Sequence, residues 1–402
     1  MFAVQKIVLQ GAADLMPHSH FKSYSSYDQY SEFHAWWRLA SVKGIGVVTL
    51  NTIYEALEGT SLHTASNEEL RRIGLSEAHL KSFLQPHSKT QKLWHQVVDW
   101  LKLPSNGILL KSDDLYPKSL KQLPDAPIYL FYRGDLSILS TPCIAMVGSR
   151  NTTHYGEQHA IQVAKELSLQ GVTIVSGLAV GVDGHAHRGA LSSGISGSTI
   201  AVLGSGLDRI YPKRHETLAT QIVQQGGLLL SEHMPSTPPK AEHFPQRNRI
   251  VSGLSIGTVV IEAAVNSGSL ITARLAAEQG REVFALPGVV NNSLSRGCHY
   301  LIKEGAALIE NAEDIVRHLQ ETSLLADAIK FSLEVEGGDE SVVRDDLTKD
   351  EKVLMEALDY VPVAMDMLIV RTGFDVAYIS QLLLMLELKG AVQQSQGGYL
   401  KC

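Results

Sequence analysis

Residues 143–150 read Cys-Ile-Ala-Met-Val-Gly-Ser-Arg, five apolar side chains followed by a glycine, a hydroxyl and a cation. The apolar part lacks polar alternation, which is typical of a strand covered on both faces. Gly148 lets an anion approach the backbone, and Arg150 adds a forked, permanently charged donor. A helix predicted to follow would add unpaired amides and a favourable dipole. The segment therefore predicts a phosphate-binding loop at the end of a buried strand.

Five more apolar runs of this kind follow, at residues 172–175, 199–203, 227–230, 258–261 and 283–286. Segments with helical periodicity separate most of them, at residues 155–170, 185–192, 215–225 and 270–279. A glycine near the end of each helical segment is the usual stop signal. Buried strands alternating with helices predict a doubly wound, mostly parallel α/β sheet, which binds ligands at the carboxyl ends of its strands.

Further polar runs are predicted at the same edge of the sheet, so we expect them to form one polyanion site. Lys213 is a point charge suited to a backbone phosphate, and Phe244 is a candidate stacking surface, as are Tyr155 and Tyr211. For Phe244 and Tyr211 the alternative is a buried core ring. The candidate contacts in these runs are Gly148, Ser149, Arg150, Gly177, Gly204, Ser205, Lys213, Phe244, Arg247, Asn248 and Arg249.

The glycine loops do not match two common nucleotide-binding signatures. No Gly-Lys-Ser/Thr sequence follows Gly148, and Arg209 occupies the third glycine position after Gly204 and Gly206. Neither ATP hydrolysis nor NAD binding is supported, and no cofactor is expected.

Two sets of titratable residues could suggest catalysis or a metal. Asp183, His185 and His187 could form a cluster, but residues two apart on a helix point to different faces, which favours structural roles, with Asp183 as a helix N-cap. Glu262 follows a predicted strand and could act as a carboxylate catalyst. Since no convincing acid/base partner accompanies it, we favour helix capping or a ribose contact.

Composition and charge describe a protein of 402 residues with a net charge of −7. That charge argues against coating nucleic acid by bulk electrostatics. Residues 106–320 are neutral, with 18 Lys and Arg against 18 Asp and Glu, and a local basic rim on a neutral domain is compatible with a groove that follows a nucleic-acid backbone. The alternative is solvated surface charge. The cations of this rim are Arg209, Lys213, Arg214, Lys240, Arg247 and Arg249.

Three scattered cysteines favour a reducing cytoplasm over a disulfide framework or a metal site. No secretory signal or membrane-spanning run is recognised in the sequence, so we expect a cytoplasmic protein without a membrane partner.

The chain is predicted to contain a helical N-terminal domain at residues 1–105, disordered to about residue 30. Residues 41–57 have the helix, Gly-Ile-Gly turn and helix of a helix-hairpin-helix unit, and residues 70–84 resemble a degenerate second copy. Such turns expose backbone amides that can hold a phosphate. The alternative is a helical bundle that only packs or recruits partners.

Beyond the α/β domain at residues 106–320, an acidic flexible linker is predicted at 321–347 and a winged-helix-like domain at 348–402. The third helix of this domain, expected at residues 376–388, carries no lysine or arginine. A protein-contact or packing module is therefore favoured over a duplex-DNA reader.

Taken in order, these motifs resemble the DNA-processing protein A family (DprA, also called Smf). The resemblance is close over residues 115–320 and less distinctive in the flanking modules. The motifs that carry it are Val147-Gly148-Ser149-Arg150, Ser176-Gly177-Leu178-Ala179, Asp183 with Ala186-His187, Tyr211-Pro212-Lys213, Phe244-Pro245 through Ile250, Ser267-Gly268-Ser269 through Ala273, and Pro287-Gly288.

The resemblance implies an extended Rossmann-like domain that binds single-stranded DNA, dimerises and loads the RecA recombinase during natural transformation, without catalytic activity. Arg150 and Lys213 match the family's phosphate-contacting arginine and DNA-binding lysine. Arg247 and Arg249 would line the same basic pocket, and Gly268 and Ser269 join the candidate contacts. His215 departs from the family, in which asparagine is common at that position.

Two other function classes remain open at this point. A phosphoribohydrolase-type enzyme could use Glu262 and Arg150 on ribose and phosphate, although its PGG-type signature is absent from the sequence. A scaffolding protein could act through its helical ends alone.

Overall fold

The computed structural model describes residues 30–86, 88–322, 348–358, 363–388, 391–395 and 398–401. The chain divides into two compact units, residues 1–336 and 337–402, which are described separately. The disordered start predicted before residue 30, nearly all of the acidic linker predicted at 321–347, and Cys402 lie outside the described residues.

The centre of the first unit is a nine-stranded sheet. Its strands are β1 (Asn106–Leu110), β2 (Tyr129–Gly134), β3 (Cys143–Val147), β4 (Thr173–Ser176), β5 (Thr199–Leu203), β6 (Leu228–Ser231), β7 (Gly257–Val260), β8 (Glu282–Ala285) and β9 (Ala307–Leu308). They lie in the order β1-β2-β6-β5-β4-β3-β7-β8-β9. From β6 to β9 all neighbours pair in parallel, whereas β2 runs antiparallel to both β1 and β6. The predicted mostly parallel α/β sheet is confirmed.

Helices cover both faces of this sheet, which explains the unbroken apolar strands. On β3, Ile144 and Met146 pack with the helices at His154–Leu169 and Val182–Ser192, while Ala145 and Val147 belong to the opposite core with those at His243–Gly253 and Gly268–Glu278. The helices of the unit are α1 (Ser31–Ala40), α2 (Val47–Ala56), α3 (Asn67–Arg72), α4 (Glu77–Leu84), α5 (Ser88–Leu101), α6 (Lys118–Lys121), α7 (His154–Leu169), α8 (Val182–Ser192), α9 (Glu216–Gln224), α10 (His243–Gly253), α11 (Gly268–Glu278), α12 (Arg296–Lys303) and α13 (Ala312–Glu321).

The N-terminal helices form two hairpins, α1–α2 and α3–α4, in the positions predicted from the glycine turns. Gly44 and Gly74 have φ angles of 93° and 100°, the left-handed region that glycine adopts without strain. These helices share a core with the sheet, since Phe33 packs edge-on against Phe131 of β2 with ring centroids 5.6 Å apart. The predicted boundary at residue 105 therefore divides the sequence but not the packed unit.

Two tryptophans join this helical layer to loops at the edge of the sheet. Trp100 donates from Nε1 to Asp208 at 3.0 Å, and Trp37 donates from Nε1 to the sulfur of Met234 at 3.0 Å. Arg133 also donates to Asp208, at 2.8 Å. The helices thus contact the loops that precede α9 and α10.

The second unit contains α14 (Lys349–Ala357), α15 (Met365–Thr372) and α16 (Val376–Leu388), followed by a hairpin of β10 (Val392–Ser395) and β11 (Gly398–Lys401). Gly373, at φ 72°, ends α15. Leu354, Leu368 and Ile379 meet in the core of this unit. Its order of three helices and a hairpin is the winged-helix order predicted from the sequence.

No helix among the described residues is by itself long and apolar enough to cross a bilayer. Only α15 and most of α16 taken together reach that length and composition, and a bend of 103° separates them.

Candidate nucleic-acid interface

A cleft of about 570 Å³ opens at the carboxyl ends of β3 and β7. From β3 the chain adds β4, β5 and β6 on one side and then returns to place β7 on the other. Loops that leave neighbouring strands in opposite directions create a crevice at such a switch point. We call it the strand-end cleft, and the predicted residues that line it are Gly148, Ser149, Arg150, Phe244, Arg247, Asn248, Gly268 and Ser269.

Three helices begin at this cleft. The lining includes Asp183 in the first turn of α8, Phe244 in the first turn of α10, and Gly268 at the start of α11. The first amides of a helix lack intrahelical partners and carry partial positive charge, so they favour an anion. The converging helix N-termini therefore add partial positive charge to a cleft whose lining also carries the charged side chains of Arg150, Arg247 and Asp183.

Arg150 and the Tyr211 ring both lie near the ring of Phe244, which lines the cleft. The Arg150 guanidinium carbon lies 5.8 Å from the centroid of the Phe244 ring, and the centroids of the Tyr211 and Phe244 rings are 5.5 Å apart. Arg150 is exposed, and within the described part of the chain no hydrogen bond or ion pair engages its side chain. A cation beside stackable rings is the arrangement with which proteins hold single-stranded nucleic acid.

Gly148 is required by close packing at this site. A Cβ there would come within 2.6 Å of a Val182 methyl and 3.0 Å of the Glu262 carbonyl oxygen. The loop after β3 can therefore lie against the start of α8 only with glycine at this position.

Comparison with family models identifies two parts of the chain. Residues 107–320 match the model of DNA recombination-mediator protein A, and residues 341–398 match the DprA winged helix domain. The chain belongs to this DprA family.

Its relatives include Protein Smf of Escherichia coli K12, 40% identical over 83% of this chain and 86% of the relative. The DNA processing protein DprA of Streptococcus pneumoniae R6 is 45% identical over 56% of this chain and 78% of its own. A crystal structure of DNA processing protein A from Streptococcus pneumoniae superposes with a TM-score of 0.61 at 36% identity, covering 73% of this chain and 98% of that one.

Arg247 lies in the strand-end cleft as an internal brace. It is 6% exposed, and it donates to the carbonyl oxygens of Val202 and, at 2.6 Å, Gly177. Burial lowers the pKa of its guanidinium, while Asp183 acts in the opposite direction. Arg247 therefore ties α10 to the ends of β4 and β5.

Asp183 accepts hydrogen bonds from the amides of Gly177, at 3.1 Å, and Ala179. Burial raises the pKa of its carboxyl group, and Arg247 opposes that shift. The predicted N-cap role is wrong, because Gly181 caps α8 and Asp183 lies inside its first turn. The carboxylate instead fixes the loop after β4.

Arg249 points away from the strand-end cleft. Its Nε lies 3.0 Å from Asp125, and its Nη2 donates to Glu232 at 2.8 and 2.9 Å. Residues 244–249 were expected at a strand end, but they form the first turns of α10, where positions two apart face different directions. We therefore remove Arg249 from the proposed strand contacts.

Four other candidates do not line the cleft. Gly177 and Gly204 support it from below, since a Cβ at either would meet the side chain of Arg247 or Phe244. Ser205 is buried and donates to the Arg209 carbonyl oxygen at 2.7 Å. Lys213 is exposed in a 3-10 turn two residues past Tyr211 and does not line the cleft.

Glu262 is committed to the start of α7. It is 2% exposed and accepts from the Thr152 hydroxyl at 2.7 Å, the Thr153 amide at 2.9 Å and the Thr153 hydroxyl at 2.6 Å. Thr153 in turn caps α7. This geometry supports the capping interpretation over the catalytic one.

His187 is fully buried and bonds through Nδ1 to the Thr199 hydroxyl at 2.7 Å. Burial lowers its pKa to about 3, so the ring is neutral and structural.

Among the described residues, no three His, Cys, Asp or Glu side chains are grouped as metal ligands would be. Cys143 and Cys298 are buried and unpaired, and burial raises the pKa of both thiols to about 12.

Proposed function

We propose that the strand-end cleft binds single-stranded DNA through its backbone, without strong sequence preference. The observation that carries this is the exposed Arg150 guanidinium 5.8 Å from the Phe244 ring, at a cleft where three helices begin. Arginine and helix amides bind phosphate, and the rings of Phe244 and Tyr211 offer faces for bases. Base faces are open only when the strand is unpaired, which favours single-stranded over duplex DNA.

The carboxylates near the cleft support a binding role over a catalytic one. Asp183 and Glu262 are both buried and hydrogen-bonded to backbone or hydroxyl donors within the protein. A general acid or base needs to reach the substrate proton. We therefore propose a non-enzymatic protein, with nucleotide hydrolysis as the competing function.

We extend the proposal to a recombination mediator that protects incoming DNA and loads RecA during natural transformation. Membership of the DprA family supports it, as does the neutral charge balance of residues 106–320, which suits a transient DNA carrier. The mediator would act in the cytoplasm as a homodimer.

The binding proposal is tested by fluorescence anisotropy with matched single-stranded and duplex oligonucleotides across a salt series. Single-stranded DNA should bind more tightly, and log K should fall against log salt by about 0.7 per phosphate contacted. The Lys213→Glu variant should weaken binding to all sequences. Equal affinity for duplex and single strands would contradict the proposal, as would release of free base from a nucleoside monophosphate that Glu262→Gln abolishes.

The mediator role requires a separate measurement. RecA filament growth on a strand already covered by single-strand-binding protein should start sooner when this protein is added. No acceleration, with DNA binding intact, would confine the function to DNA binding.

A further inference from the structure

A second recess lies next to the strand-end cleft. It has a volume of about 280 Å³ and is lined by Gly181, His185, Arg188, Arg214 and His215. We call it the basic pocket. As far as the structure describes the chain, its lining holds two arginines and two imidazoles but no carboxylate.

Both arginines of the basic pocket are available to a ligand. Arg188 on α8 and Arg214 in the turn before α9 are exposed. Over the described ranges, neither guanidinium has a hydrogen bond or an ion pair. This contrasts with Arg249, which two carboxylates hold. Two unpaired guanidinium groups at one recess attract an anion that can accept several hydrogen bonds, such as phosphate.

The imidazole of His215 faces the same point as Arg188. A Cβ at Gly184 would lie 3.1 Å from His215 Nε2 and 3.3 Å from an Arg188 terminal nitrogen. His215 Nδ1 lies 2.9 Å from the Leu178 carbonyl oxygen, which can only accept, so Nδ1 carries the proton. In the neutral ring, Nε2 is therefore an acceptor and repels an anion. In the protonated ring, Nε2 carries a hydrogen and can donate a hydrogen bond to the anion.

The pocket adjoins Arg150 directly. Gly181 packs so closely on the loop after β3 that a Cβ there would lie 2.1 Å from the Ser149 carbonyl oxygen and 2.7 Å from that of Arg150. Ser149 and Arg150 line the strand-end cleft on the other side of this contact. This backbone contact places the two recesses side by side, so that one extended polyanion can span them.

We propose that the basic pocket is a second phosphate subsite for the same DNA strand, filled with uptake of a proton by His215. This rests on the proposed function and extends it beyond the strand-end cleft. The groups near His215 are the Leu178 carbonyl oxygen, Asp183, Arg188, Arg214 and His187, together with His185, whose Nδ1 lies 3.5 Å from Glu157. Burial lowers the pKa of His215 in the free protein, and a bound phosphate would raise it.

The first test compares the full-length protein with the double variant Arg188→Gln/Arg214→Gln. A charge-matched control, Lys121→Gln/Lys303→Gln, removes two exposed cations outside both recesses. The pocket variant should bind an oligothymidylate several-fold more weakly than the control, with a salt slope smaller by about 0.7 per phosphate lost. Equal affinity and slope in the two double variants would overturn the inference.

The Arg150→Gln variant, measured in parallel, separates this inference from the proposed function. If Arg150→Gln weakens binding and the pocket variant matches its control, only the second subsite fails. If Arg150→Gln has no effect, the proposed function fails as well.

The second test concerns the proton and the source of the phosphate. Wild-type affinity for the strand should rise as the pH falls from about 8 to about 6, and His215→Gln should flatten that rise, whereas His63→Gln at an exposed distant site should not. An unchanged pH profile in His215→Gln would exclude the proton uptake.

If inorganic phosphate stabilises the wild type but not the pocket variant, while both bind the strand equally, the pocket serves a free anion and the inference is wrong.

Discussion

The loop after β3 and the first turns of α10 both bring arginine to one edge of the sheet, but these arginines differ in exposure and in their protein partners. Arg150 in the loop is exposed and unpaired across the described residues, while Arg247 and Arg249 in the helix are 6% and 7% exposed and fully engaged. A cation that already has protein partners costs more to redirect toward a ligand than one held only by water. The comparison separates arginines that position the site from those free to contact DNA.

The largest effect is expected from Arg247→Met. It leaves Asp183 buried without its opposing cation, and two carbonyl oxygens without their donor, so unfolding free energy should fall by about 3–5 kcal/mol. Urea denaturation followed by far-ultraviolet circular dichroism measures this. The Arg247→Lys control keeps the positive charge but not the forked guanidinium, so its free energy of unfolding should fall by less. If both variants lose little stability, and to the same extent, Arg247 is not a brace.

Arg249→Met should give the next largest loss of stability, about 1.5–3 kcal/mol, because Glu232 and Asp125 keep partial access to water when their partner is removed. DNA affinity of the folded variant should stay close to wild type. Anisotropy at a temperature where the variant is fully folded checks this, and a tenfold loss of affinity would return Arg249 to the DNA contacts.

Arg150→Gln should lower DNA affinity and leave stability nearly unchanged, the opposite of what we expect for Arg249→Met. We expect about a tenfold loss of single-strand affinity, which is about 1.4 kcal/mol, with the free energy of unfolding changed by less than about 0.5 kcal/mol. The salt slope should also fall, by about 0.7. A stability loss as large as that of Arg247→Met would remove the distinction between the two regions.

The smallest effect should come from Tyr211→Leu, because the ring is already half exposed at 50%. Loss of one stacking face should reduce affinity about fivefold, near 1 kcal/mol. Tyr211→Phe keeps the ring and should bind like wild type. Equal affinities for the leucine and phenylalanine variants would show that no base stacks there.

Local patterns predict strands β3 to β8 well because helices cover both faces of that part of the sheet. Residues 143–147 and 199–203 are predicted to the residue, since both runs are apolar on both faces. Strands β1 and β2 were not predicted, because their pairing is antiparallel and depends on distant neighbours. The two-residue β9 is too short to give a pattern.

Within the candidate site, the sequence indicates which loops converge but not which way side chains point. Residues 244–249 contain proline, asparagine and two arginines, a composition more typical of a loop than of α10, so the divergence of Arg247 and Arg249 was missed. The basic pocket was missed because Arg188 is 26 residues from Arg214 in sequence. Only the packing of α8 beside the turn before α9 brings them together.

The aromatic contact between α1 and β2 has a consequence for any shortened form of the protein. Phe131 and Leu229 are at most 1% exposed because Phe33, Trp37 and Trp100 lie over that face of the sheet. A fragment that starts at residue 106 would expose this apolar surface to solvent, and exposed apolar patches promote self-association. The N-terminal helices thus cover an apolar face of the sheet, and we expect a fragment without them to aggregate more readily than the whole first unit.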